Sequence, residues 1–297
     1  MRVRVTKKQN AQRVFRFGGL RLGSQWQAKK DPGSKAHECY FDMAGMELRI
    51  FKQSSEVGFF EADVKLRMSP VAYWRVLQNA AAGHAAQLSA ATEELRKAGQ
   101  TWMLSKMCID VSRHPRLGET IHVETWPSTR IKGARAYRDY VLKDAEGQVC
   151  VAASSLWVIV DLASRRPVRI PDSIIALCCD PGYAIPPISE GWLSEPAPDS
   201  ASFRFPTVWS DADQNEHVNN VAMLRWVIDA QPLSFLETNE LIGAEAHYRA
   251  EVGLGKEVVV TTSTEGSHLR HAVHCDGTLA ALIHTRWRSL DSPAVTP

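Results

Sequence analysis

Between residues 211 and 220 the chain reads "DADQNEHVNN", in which only Ala212 and Val218 are apolar. The amphipathic run "VAMLRWVIDA" follows, and Pro232 stops it. One Asn, Asp or Ser is enough to cap such a helix, so the extra polar residues ask for another explanation. Asp213, Asn215 and His217 fall at every second position, and in an extended segment they would share one side. A carboxylate, an amide and an imidazole would then gather ahead of a helix N-terminus, where free N–H groups and the positive dipole end favour a developing oxyanion. That is hydrolytic chemistry. A polar turn that merely caps the helix explains the same spacing, because Asn and Asp are common in turns.

A second stretch, "AEAHYRAEVGLG", alternates polar residues at Glu245, His247, Arg249 and Glu251 with apolar or small ones. It predicts a strand with a solvated face for Glu245, ending at Glu251 beside a Gly-rich turn. In a sheet wrapped around a helix, such a strand end can reach the helix N-terminus. A third stretch, "HLRHAVHC", supplies His268, His271, His274 and Cys275. On a helix these would suit a metal, but on a strand His271 faces away from the other two histidines, which argues against metal binding.

These motifs need elements to position them. "SPVAYWRVLQNAAAGHAAQLSAATEELRKAG" predicts a long helix with Ser69 as cap, Pro70 in the first turn and Gly99 as its stop. Four strand-length segments follow, joined by short turns at Gly118 and Gly147, so their sheet is antiparallel. Residues 181–206 hold six of the fifteen prolines and read as a connector. Beyond them the pattern restarts: a short strand, the polar decapeptide, a helix and four more strands. "LGETIHVET" at 117–125 lies over "LGKEVVVTT" at 254–262, and Gly147 stands to Trp157 as Gly277 stands to Trp287. The pattern predicts an α+β tandem of two antiparallel sheets, each wrapped around a long helix, over 46–180 and 207–290.

Composition narrows the function classes. A net charge of +2 does not argue for nucleic acid, and no run approaches the roughly 20 apolar residues of a membrane span. The six cysteines show no metal-type spacing, and Cys178 and Cys179 are adjacent, which suits a reduced, cytoplasm-like compartment. The first thirty residues carry nine Lys or Arg and no acid. With one serine and no apolar core they resemble neither a transit nor a secretory peptide, and 1–45 is expected to be a flexible basic extension.

"DADQNEHVNNVAMLRWV" and "EAHYRAEVGLG" resemble the plant and bacterial acyl-acyl-carrier-protein thioesterases, whose pattern is Asp-x-Asn-x-His-Val-Asn-Asn, a helix, then a Tyr-Arg-x-Glu strand. "WMLSKMCIDVSRHPRLGETIHVETW" and "ASSLWVIVDLASRRPVRIP" extend the likeness through the first half, so that it runs from about 46 to 290. The resemblance implies a double hotdog with catalysis in the carboxy-terminal half and acyl-chain binding in the other. It implies a fatty acyl thioester on acyl carrier protein as substrate, with no metal or organic cofactor.

The family's catalytic positions fall on Asp213, Asn215, His217 and Glu251. Plant members often carry Cys after that Glu; here Val252 stands there, so water activated by Glu251 is the favoured attacker. Asn215 and the helix amides would hold the thioester oxygen, and His217 would orient the water or protonate the thiolate. Attack by Asp213 through an anhydride is the alternative. Val71, Trp74, Leu77 and Ala81 on the first helix, most simply core, become candidates for the acyl tunnel. The acidic carrier should dock on basic clusters: Arg130, Lys132, Arg135 and Arg138, and Arg165, Arg166 and Arg169. Hydrolysis of acyl-coenzyme A is the rival activity, and a non-catalytic acyl-thioester-binding regulator a more distant one. A homodimer is an open alternative to a monomer.

Overall fold

A computed structural model describes residues 49–88, 92–198, 200–214 and 216–290, together with Arg16, Phe17, Leu20 and Arg21. Those four residues pair as two short antiparallel strands inside a separate unit, Met1–Phe41. The rest of the basic extension expected over 1–45 lies outside the described residues.

The unit from Asp42 onward repeats one plan twice. Its first half runs β1 (Phe51–Glu56), α1 (Pro70–Gln87), α2 (Thr92–Lys97), β2 (Gln100–Val111), β3 (Thr120–Lys132), β4 (Arg135–Lys143) and β5 (Val149–Asp161). The short β6 (Pro167–Val168) and α3 (Asp172–Ile175) follow. The second half runs β7 (Ala201–Pro206), α4 (Asn220–Asp229), α5 (Leu233–Thr238), β8 (Asn239–Tyr248), β9 (Glu257–Glu265), β10 (His268–Cys275) and β11 (Thr278–Ser289). β7 lies within the stretch expected as connector and pairs with β9.

Strand order is β1-β3-β4-β5-β2-β8-β11-β10-β9-β7, so each half places its strands in the same succession from the outer edge inward. The two expected sheets meet edge to edge through β2 and β8, from Lys106↔His247 to Gly243↔Asp110, and form one continuous antiparallel sheet. Gly147 and Gly277 occupy equivalent turns with φ of 82° and 75°, a region costly for any side chain.

Each half wraps its strands around one helix. The Ser69 side chain accepts a bond from Ala72 N (3.2 Å) at the start of α1, and Asn219 does the same for Val221 N (2.8 Å) at α4. The long helix expected to run to Gly99 ends instead at Gln87, and Gly99 (φ 70°) closes the separate α2. Trp74, Leu77, Met107 and Leu142 from the first half and Leu224, Trp226, Val258 and Ile283 from the second belong to one buried cluster. Each such side chain contributes roughly 1.5–3 kcal/mol of burial.

The outer face at the junction is covered by the connector. Lys106 Nζ donates to the carbonyls of Ser189 (2.7 Å), Glu190 (3.2 Å) and Gly191 (2.7 Å). Glu245 accepts from the Ser189 backbone (2.8 Å) and hydroxyl (2.9 Å), so it is not the solvated residue the alternation predicts. His247 is fully buried: its Nδ1 accepts from Leu193 N (3.3 Å), which leaves Nε2–H to donate to Glu245 (2.8 Å). An alternating strand looks solvated in sequence whenever a distant segment folds over its polar side. Among the described residues no helix is long and apolar enough to cross a membrane.

Candidate active site

The polar decapeptide is a closed turn, not an extended segment. Ala212 and Val218 form an antiparallel bridge, Asp213 N donates to His217 O (2.9 Å), and Glu216 N donates to Asp213 O (3.1 Å). Glu216 takes φ 63°, which reverses the chain. Asp213 and His217 are therefore brought together across a loop rather than along one side of a strand. Asn215 lies outside the described residues. The loop's rear anchor is Asp211, which spacing alone did not single out. Its buried carboxylate accepts from Val208 N (2.9 Å) and from Arg225 Nη2 (2.6 Å), and its carbonyl accepts from Asn219 N (2.7 Å). An Arg in an otherwise apolar helix run was the available signal.

Glu251 sits in the turn after β8. Arg249 N (2.8 Å) and Ala250 N (3.2 Å) share the Ala280 carbonyl, and Val218 N donates to Val252 O (2.9 Å). These bonds tie the Glu251 turn to the decapeptide and set Glu251 Oε2 3.6 Å from His217 Nε2. Val252, at the position where a thiol was considered, has a buried side chain. The other oxygen, Oε1, lies 3.4 Å from Arg165 Nη1, a residue of the first half expected at a carrier-docking surface.

Asp213, His217, Glu251 and Arg165 share the wall of one cleft of about 1110 Å³. The cleft runs along α1, past Gln78, Ala82 and Ala85, towards Trp102, Leu104 and Trp157. Of the four α1 residues proposed from sequence, Ala81 lines it. Trp74 and Leu77 are fully buried in the core, and Val71 packs against that core. The cleft lies beside the helix face of smaller and more polar residues, because the large apolar side chains are drawn into the sheet. Trp74 Nε1 donates to Tyr248 OH (3.3 Å), and burial pushes that phenol's pKa up.

The basic clusters divide by environment. Arg130 pairs with Asp139, donates to Ser128 Oγ (3.1 Å) and Ser154 Oγ (2.9 Å), and covers the Tyr137 ring. Arg138 is half-buried and lines the cleft, donating to Thr125 Oγ1 (3.3 Å) with His84 Nδ1 3.0 Å away; burial lowers its pKa. Neither presents a free docking charge. Lys132, Arg135, Arg165, Arg166 and Arg169 are exposed, and Ile170 N donates to Gly133 O (3.4 Å), which holds the two basic turns together. Arg169 also pairs with Asp172 at 3.1 Å.

His271 is buried between Thr262 and Thr285, each at 2.9 Å, whereas His268 is exposed. Among the described residues no three His, Cys, Asp or Glu side chains are grouped to hold a metal.

Comparison with known proteins places this geometry. Residues 49–178 match the acyl-ACP thioesterase N-terminal domain, and residues 194–289 match the acyl-ACP thioesterase C-terminal domain. A palmitoyl-acyl carrier protein thioesterase, chloroplastic, from Cuphea hookeriana is 29% identical over 259 residues, 80% of this chain and 62% of the relative. The corresponding Gossypium hirsutum protein is 26% identical over 264 residues, 80% of this chain and 64% of the relative. The chain thus spans less than two thirds of the length of these curated relatives. Among solved structures, an acyl-ACP thioesterase from Bacteroides thetaiotaomicron superposes with TM-score 0.75 at 21% identity, covering 82% of this chain and 99% of that one. The 12:0-ACP thioesterase from Umbellularia californica superposes with TM-score 0.73 at 24% identity, covering 84% and 100%. Both likenesses establish the tandem hotdog fold.

Proposed function

The chain belongs to the acyl-ACP thioesterase family, and from that premise we propose that it hydrolyses fatty acyl thioesters of acyl carrier protein. One observation carries the reading: Asp213 and His217 of one loop and Glu251, more than thirty residues further on, share the wall of a cleft of about 1110 Å³ that runs along α1. Water attacks the thioester carbonyl, the C–S bond breaks, and the products are a free fatty acid and the carrier's thiol. Glu251 takes the proton of the attacking water, and His217 gives a proton to the departing thiolate. A small closure of their 3.6 Å separation brings the two within hydrogen-bond reach, and the proton passes from Glu251 to His217, which returns the pair to its starting state. Asn215 and the first amides of α4 hold the developing oxyanion. Asp213 shapes the loop that presents His217.

The acyl chain lies along the α1 face that includes Ala81, Ala82 and Ala85. The carrier, an acidic protein, docks on the exposed turns bearing Lys132, Arg135, Arg166 and Arg169. The compartment we assign, on the sparse cysteines of the sequence, is a reduced, cytoplasm-like one. The test is a hydrolysis panel of acyl-carrier-protein and acyl-coenzyme A substrates across chain lengths. Turnover of the carrier substrates with higher kcat/KM is expected. A preference for coenzyme A would replace the carrier assignment, and no hydrolysis of either would end the thioesterase reading.

A further inference from the structure

The turn between β5 and β6 is built to hold one side chain in place. Asp161 Oδ1 accepts from Ser164 N and from Ser164 Oγ, both at 2.7 Å. Arg165 N donates to Asp161 O (2.9 Å), and Asp161 N donates to Arg166 O (3.0 Å). The Ser164 bonds keep the Asp161 carboxyl below its ordinary pKa. Inside this turn Arg165 takes φ 57°, a left-handed conformation that costs a residue with a Cβ roughly 1 kcal/mol or more.

That conformation aims Arg165 across the junction between the halves. Its Nη1 lies 3.4 Å from Glu251 Oε1, while Glu251 Oε2 faces His217 at 3.6 Å. The carboxylate is thus held from both sides, and its two oxygens have different partners. Arg165 lines the cleft with Glu251 and His217, whereas Arg166 and Arg169 are not part of that wall. The guanidinium and carboxylate side chains are 64% and 44% exposed, but the water they meet includes that of the cleft. A bound acyl thioester would displace it and strengthen the pair.

We propose that Arg165 is a positioning residue of the hydrolytic site, supplied by the half that holds the acyl chain, and that it acts by orienting Glu251. The proposal rests on the reading of Glu251 as a catalytic group. It removes Arg165 from the carrier-docking surface and makes the catalytic half incomplete without the other.

The test is a double-variant cycle on a short soluble acyl thioester that lacks the carrier, comparing Arg165→Met, Glu251→Gln and the two combined. Arg165→Met should lower kcat by about ten- to a hundredfold, the scale of a misplaced catalytic group, with KM little changed. Arg165→Lys should recover part of the loss. In the Glu251→Gln background Arg165→Met should cost nothing further, because the group it orients is already gone. Losses that multiply independently would overturn the proposal. So would a loss confined to carrier-borne substrate, or a rise in KM at constant kcat. A wild-type protein that cleaves no thioester would instead refute the hydrolase reading, before any variant is compared.

Discussion

The loop ahead of α1 and the loop ahead of α4 share one backbone. Ala62 and Met68 form the same antiparallel bridge as Ala212 and Val218. Asp63 N donates to Arg67 O (2.7 Å) as Asp213 N does to His217 O, and Leu66 (φ 56°) turns the chain where Glu216 does. The equivalence continues beyond the loop. Met68 N donates to Pro115 O (2.7 Å) as Val218 N donates to Val252 O, which makes His114 the counterpart of Glu251. One loop thus carries Asp63, Lys65 and Arg67 opposite His114, and the other carries Asp213 and His217 opposite Glu251.

Each loop, with the turn it faces, also receives an ionic partner from the opposite half, and here the two sites diverge. Glu240 of β8 pairs with Arg67 and Arg288 and lies 3.9 Å from His114, filling the first-half position with largely buried charge. Lys65 Nζ donates to the carbonyls of Leu236 (2.6 Å) and Asn239 (3.0 Å), closing it further. The second-half position receives Arg165 and opens onto the cleft. One duplicated design has become a joint, and the other has kept room for a substrate.

The contrast is tested most strongly by the two glutamates. Glu251→Gln should lower thioester turnover by about 10²–10⁴, the weight of an acid–base group, with an unchanged melting curve. Near-wild-type turnover in a folded variant would remove Glu251 from the chemistry. Glu240→Ala should do the reverse. It strands Arg67, mostly out of solvent, so stability in urea should fall by about 3 kcal/mol while kcat of the folded protein holds. Loss of turnover without loss of stability would mean that the first-half loop is no mere joint.

A pH-dependent effect separates the two cores. Trp157 Nε1 donates to Ser155 Oγ (2.7 Å), which also meets Tyr140 OH (2.9 Å). Trp287 Nε1 donates to Thr285 Oγ1 (2.8 Å), which also meets His271 Nε2 (2.9 Å). The networks match except that one holds a phenol and the other an imidazole. Burial, aided by His284, lowers the His271 pKa from 6.5 to about 3. The unfolded chain therefore takes up this proton first as the pH falls. The stability tied to a neutral His271 is intact above about pH 6.5 and is lost at up to about 1.4 kcal/mol per unit down to pH 3. His271→Gln should flatten the acid limb of stability measured by urea unfolding between pH 7 and pH 4. Parallel limbs for variant and wild type would show that His271 is not buried in its neutral form.

Much of this was legible in the sequence. Cap residues, turn glycines and alternation gave the order of elements, and two short matches exposed the repeat. The convergence of Asp213, His217 and Glu251 also followed, although through a closed turn rather than a shared strand face. A positive φ at Glu216 is a three-dimensional choice that residue type does not announce. The equivalence of the 62–68 and 212–218 loops was hidden because α1 is 18 residues long and α4 only 10, which shifts the spacing between matching positions. Glu245 was misplaced for a physical reason. A charge in a turn or on an alternating strand reads as solvated until the chain that covers or answers it is located.

The smallest expected effect decides what Asp213 does. In the first half, Asp63 Oδ1 accepts from the backbone N–H of Lys65 (2.8 Å) and of Arg67 (3.1 Å), so this carboxylate folds its own loop where no catalysis is proposed. An amide oxygen can accept the same two bonds. If Asp213 does the equivalent work, Asp213→Asn should keep the loop, hold His217 in place and retain turnover to within about tenfold, whereas an anhydride-forming nucleophile would lose the 10²–10⁴ typical of an essential group. Asp213→Ala, which can form neither bond, should be the more damaging change. Oxygen labelling gives the independent reading. If hydrolysis proceeds through an Asp213 anhydride, turnover in ¹⁸O-water can leave label in the carboxylate, because water opens the anhydride at either carbonyl. Direct attack by water leaves the peptide containing Asp213 unlabelled while the fatty acid gains one ¹⁸O. Label in that peptide, together with a dead Asp213→Asn variant, would return Asp213 to the role of attacking group and break its likeness to Asp63.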